Sequence, residues 1–92
     1  MRITFDPDAN DDLDHIFAWI AKDNVVAAYE TMSRIEALIG RLGMPGFEEM
    51  DRPGLVEGTS ELIDDPYIVV YRVISQHDEI LIVSVVHAAQ DR

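Results

Sequence analysis

The sequence predicts an α+β fold of order β-α-α-β-β-β, in which a helical hairpin covers one face of a mostly antiparallel four-stranded sheet. Two observations carry this. Apolar residues recur at helical spacing after a short β-like start, and three runs of β-branched and aromatic residues follow, joined by connections short enough to make them antiparallel neighbours. The 92 residues suit one domain, 1–92, with a modest core.

Residues 1 to 5 alternate, with Ile3 and Phe5 out of phase with Thr4, and form a first strand. Asp6 is placed to cap a helix that has Pro7 at its first position and acidic residues in its first turn, where they meet the positive end of the helix dipole. Leu13, Ile16, Phe17 and Ile20 share one face of this helix, which runs to about Ala21, while Asp11, Asp12, Asp14 and His15 lie largely off that face. Asn24 caps a second helix along which Ala28, Met32, Ile35, Ile39 and Leu42 repeat at threes and fours, to about Leu42. Gly43, Pro45 and Gly46 stop it, and the short joint between the helices favours an antiparallel hairpin.

Met44 to Pro53 holds turn formers and acidic residues without periodicity and reads as a loop. Three strands follow, Leu55 to Ile63, Tyr67 to Ile74 and Glu79 to Val86, with Asp64-Asp65-Pro66 and Ser75-Gln76-His77-Asp78 as the turns of a meander. Periodicity does not say where the first strand joins this sheet.

Composition excludes several function classes. The chain has no cysteine, so disulfides and thiolate metal sites are out, and a cytoplasmic protein is expected. Its start lacks the apolar stretch of a signal peptide, and its apolar runs are far shorter than the ~20 residues of a membrane-spanning helix. Eighteen acidic against seven basic side chains give a formal charge of −11, which opposes a phosphate backbone and makes direct nucleic-acid binding a poor expectation.

The chemistry-bearing residues of the second half are few. Cleaving RNA through its 2′-hydroxyl requires a base, an acid and cations around the phosphate, whereas the region from Leu55 onward offers Arg72, His87, Tyr67, Tyr71 and Arg92. His87 ends the last strand, where it serves either as a catalytic imidazole or as a hydrogen-bonding strand terminus. Arg72 alternates with Val70 and Ile74, and either centres a binding patch or, the favoured reading, pairs with Glu61 across the hairpin. Tyr67, Val69, Tyr71 and Val73 form the opposite stripe, in which Val69 and Tyr71 belong to the core. Asp11 and His15 have a spacing that could hold two ligands of a metal, but a third is lacking and a surface pair explains them. No metal, cofactor or catalytic residue is assigned. Asp6, Asp8, Asp11 and Asp12 read as solvated surface.

The runs Gly58-Thr59-Ser60-Glu61-Leu62, Pro66 to Val73, Ile80 to Val83 and Val86 to Asp91 resemble the C-terminal half of ParE-type proteins of the RelE/ParE toxin superfamily. Ala9, Asp12-Leu13, Ile16, Trp19-Ile20-Ala21, Asn24 and Ala27-Ala28 resemble that family's helical hairpin, so the likeness spans nearly the whole chain. It implies a toxin of a type II toxin-antitoxin module, also known as a plasmid stabilisation protein. Such a toxin inhibits DNA gyrase by protein binding rather than as an enzyme, and is neutralised in a hetero-oligomer by a ParD-like antitoxin. RelE-like members of the superfamily instead cut messenger RNA on the ribosome. The sequence departs from the pattern at Ser60, where the family often has Arg, and this leaves room for a weakened toxin that chiefly binds its antitoxin in operon autoregulation. The acidic stretch around Glu48, Glu49 and Asp51, together with Arg72 and His87, supplies the candidate antitoxin- or target-binding residues. A partner facing this much acid is expected to carry Lys or Arg.

Overall fold

A computed structural model describes residues 2–43, 51–53 and 57–88, the segment 51–53 through its backbone. β1 (Arg2–Phe5) leads into α1 (Pro7–Ala21) and α2 (Val25–Gly40), the second helix closing in a 3-10 turn at Arg41–Gly43. The remaining strands are β2 (Asp51–Pro53), β3 (Ser60–Asp64), β4 (Tyr67–Ile74) and β5 (Glu79–His87), in a sheet ordered β1-β5-β4-β3-β2.

The helices begin where local chemistry dictates. The Asp6 carboxylate accepts from the Asp8 backbone N–H at 2.9 Å and Asn24 Oδ1 accepts from the Ala27 N–H at 3.0 Å, so each helix has a side chain serving one of its unpaired N-terminal donors. Two residues, Asp23 and Asn24, separate the C-cap Lys22 from α2, which folds the helices back on each other. An edge-to-face contact of Phe17 and Tyr29, with centroids 5.0 Å apart, joins them.

The meander forms as expected: β3 with β4 and β4 with β5 are antiparallel. β1 runs parallel to β5 with Ile3 opposite Ile80 and Phe5 opposite Ile82, an arrangement made possible because the whole helical hairpin lies in the crossover between the strands. Two boundaries differ from expectation. The third strand starts at Ser60 instead of Leu55, because Glu57 and Gly58 form a turn in which Gly58 takes φ +86, a conformation outside the strand region; residues 54–56 lie outside the described residues. Asp51–Pro53, expected within a loop, instead pairs antiparallel with Ser60–Leu62 and extends the sheet. Three residues are too few to show a period, and Pro53, which lacks an N–H, is admissible because β2 is an edge strand.

The core lies between α2 and the sheet. Ile35, Leu38, Ile39 and Leu42 pack on Leu62, Val69, Tyr71, Ile80 and Ile82, with Ala9 admitting α1 to the same cluster. Val69 and Tyr71 are fully buried, as their stripe predicts, whereas Val73 at the far end of the stripe is 44% exposed.

Candidate functional site

β1 pairs with β5 only as far as Ile82, after which the chain leaves the sheet to enter α1. The remaining half of β5 therefore has α1 as its neighbour on that side. The two elements are tied by Asp12, whose Oδ2 accepts from the Val85 backbone N–H at 2.9 Å in a partly buried hydrogen bond. That bond serves a strand-edge donor that a β-ladder would otherwise hold. The register of β4 against β5 shifts at Val70/Tyr71, leaving Val83 as one extra residue on β5 just before this point.

Between α1 and the end of β5 lies a cleft of about 490 Å³. Ile16, Ile20 and Val85 supply apolar lining, with Tyr67 and His87 at one end and Asp12, His15 and Trp19 along the helix. Tyr67 and His87 are register partners on β4 and β5, and their rings meet edge to face at 5.5 Å. Trp19 is 66% exposed, with Lys22 Nζ 5.5 Å from its ring centroid.

A second apolar surface continues around the tip of the hairpin, where Val25, Val26 and Tyr29 are all more than half exposed. Val26 and Tyr29 line a shallow depression with Ser33, Glu30 and Arg34. Large apolar side chains gathered in this way mark interaction surfaces on small proteins.

The candidate residues do not form one constellation. His87 stands half-buried in the cleft, on the helix side of the sheet. Arg72 is exposed on the opposite face, five positions along β4 from the partner of His87, or roughly 16 Å at the ~3.3 Å rise of a strand. The expected pairing of Arg72 with Glu61 does not form: Glu61 is buried opposite Val70, Arg72 is only its diagonal neighbour, and Arg72 makes no ion pair among the described residues. Asp51 joins β2 through its backbone opposite Leu62, while Glu48 and Glu49 lie outside the described residues. Asp11 and His15 acquire no third ligand: no group of three metal-binding side chains occurs among the described residues. Among the described residues, no helix is long and apolar enough to cross a membrane.

The Trp19 cleft escapes a reading of the residues alone, since its walls come from positions far apart in the chain. The hairpin tip left a fainter signal, because Val26 and Tyr29 fall outside the Ala28, Met32, Ile35, Ile39 stripe.

The arrangement of strands and helices has known counterparts. The model of the family described as ParE toxin of type II toxin-antitoxin system, parDE, matches residues 3–92. The chain belongs to the ParE toxin family. A chain from the chromosomal ParDE system of P. aeruginosa superposes with a TM-score of 0.81 at 22% identity, covering 95% of each chain. More distant in shape are a chain of the RelBE2 toxin-antitoxin complex of Mycobacterium tuberculosis and one of the intact E. coli RelBE complex. The former has a TM-score of 0.54 at 25% identity, over 94% of this chain and 95% of that one. The latter has a TM-score of 0.56 at 18% identity, over 95% of each. A search of curated proteins returns no match. The ParE toxin thus shares its fold with chains of both ParDE and RelBE systems, and fold alone does not fix a mode of action.

Proposed function

We propose that this ParE toxin, a single-domain protein, acts in the cytoplasm by binding DNA gyrase, without catalysing a reaction itself, and that a ParD-like antitoxin neutralises it in a hetero-oligomer. The observation that carries the protein-binding reading is the exposed apolar surface of the hairpin, from Trp19 through Val25 and Val26 to Tyr29. Such side chains are anchors for a protein partner, and a solvated helix has no use for them.

The ribonuclease alternative draws support from His87, an imidazole in a cleft beside a tyrosine. The cation of its strands is wrongly situated, however, and the one beside the cleft, Lys22, lies against the Trp19 ring. Arg72 lies on the other face of the sheet, and a charge on a phosphate in transition must be met within hydrogen-bond reach. The charge of −11 further opposes a ribosomal RNA surface.

Inducing the toxin alone and following chromosomal breaks against message integrity tests the proposal. Breaks with intact message support gyrase as the target. Codon-position-dependent cleavage of ribosome-bound message, abolished by His87→Ala, overturns it. A chain that causes neither, yet binds the protein encoded beside it, is the weakened toxin that the departure at Ser60 allows.

A further inference from the structure

The cleft between α1 and β5 combines three features that ordinarily belong together around a guanidinium. The first is a carboxylate with spare capacity. Asp12 Oδ2 is engaged by the Val85 N–H, whereas Oδ1 has no partner among the described residues. The second is an aromatic boundary, to which Trp19 on α1 and the Tyr67–His87 pair on the sheet both contribute. The third is an apolar floor of Ile16, Ile20 and Val85 suited to the methylenes of a long side chain.

Charge selects the same occupant. Asp8 and Asp11 stand exposed on the α1 turn that precedes the cleft, and among the described residues none that lines the cleft is Lys or Arg. The protein already demonstrates the attraction within itself, since Lys22 Nζ approaches the Trp19 ring. Arginine matches better than lysine, because its planar fork pairs with a carboxylate and stacks on aromatic rings.

We propose that this cleft receives an arginine side chain from the antitoxin segment, its guanidinium held between Asp12 Oδ1 and the Trp19 ring, with a neighbouring aliphatic residue over Ile16 and Ile20. The inference rests on the antitoxin reading above and adds the location and the residue type.

Trp19 is the only tryptophan in the chain, so its emission reports on the cleft and the hairpin surface that adjoins it, and the Asp12 variant distinguishes the two. The full chain is titrated with a short synthetic peptide of alternating Leu and Arg and with its Leu and Glu counterpart. The arginine peptide should change Trp19 emission saturably and the glutamate peptide should not. Asp12→Asn, which keeps an acceptor for Val85 but loses the charge, should weaken binding about tenfold, as expected for a charge-assisted hydrogen bond. Glu36→Gln, exposed on α2, should leave it unchanged. Should Asp12→Asn not fold, the double change Asp8→Asn with Asp11→Asn serves instead and should also weaken binding. Silent Trp19 emission, or equal affinity in the acid variants and Glu36→Gln, overturns the proposal. The same titration with the protein encoded beside the toxin separates the two claims. Binding that leaves Trp19 unmoved and is indifferent to Asp12→Asn overturns the arginine cleft alone, and no binding overturns the antitoxin reading and this inference with it.

Discussion

Replacing Asp12 by alanine removes the one side-chain hydrogen bond that fastens α1 to the free half of β5 among the described residues. The donor left behind is the Val85 backbone N–H, on a residue that is itself only 3% exposed. A buried donor deprived of its acceptor costs ~1 to 3 kcal/mol. Alanine is the better helix former at an interior position, which offsets about 0.5 kcal/mol. The net loss is therefore about 0.5 to 2.5 kcal/mol, and with a urea slope of ~1 kcal/mol/M for a small domain the midpoint should fall by ~0.5 to 2.5 M. Asp12→Asn should lose less, because its amide oxygen can still accept. Urea unfolding followed by far-ultraviolet circular dichroism measures both, and hydrogen exchange at the Val85 amide should accelerate in the alanine variant. An unchanged midpoint together with unchanged exchange at Val85 would refute the tether.

Other substitutions probe the remaining layers. Ile35→Ala, in the centre of the core, should destabilise by ~2 to 5 kcal/mol in the same denaturation experiment, enough to threaten folding of a small domain. Asn24→Ala should cost ~1 kcal/mol through loss of the α2 cap, read as a lower melting temperature. Arg72→Ala, exposed and without an ion pair among the described residues, should alter stability by no more than ~0.5 kcal/mol, so that any loss of antitoxin or gyrase binding by this variant reports a contact. Association with the antitoxin should slow clearly as salt rises from low to near-molar while dissociation changes little, because screening acts on encounter; stopped-flow fluorescence of Trp19 gives both rates.

The elements most legible in the sequence are those set by local chemistry. Asp6 and Asn24 announce the two helices because a capping side chain acts within three residues, and the Leu13 and Ile35 stripes announce their buried faces because helical period fixes which side chains align. Val69 and Tyr71 could be assigned to the core for the same reason on a strand. What stayed hidden depends on pairing across the chain. Nothing in Arg2–Phe5 states that it lies parallel to Glu79–Ile82, since alternation defines a strand's faces and leaves its neighbour open. Glu61 and Arg72 have the right spacing for a cross-strand pair, yet the register sets Glu61 against Val70 and buries it. Asp12 looks like one more solvated acid on α1, and its bond to Val85 emerges only once β1 ends short and brings α1 against β5. Trp19 and His87 become neighbours of one cleft by the same step.

The central claim is that the ParE toxin works by binding a protein, and a purified gyrase supercoiling reaction tests it most directly. With the toxin added, supercoiling should fall in a dose-dependent manner, and the protein encoded beside it should restore the activity when premixed at equal concentration. Full supercoiling at every toxin concentration, with codon-position-dependent cuts in ribosome-bound message made by the same preparation, would contradict the account.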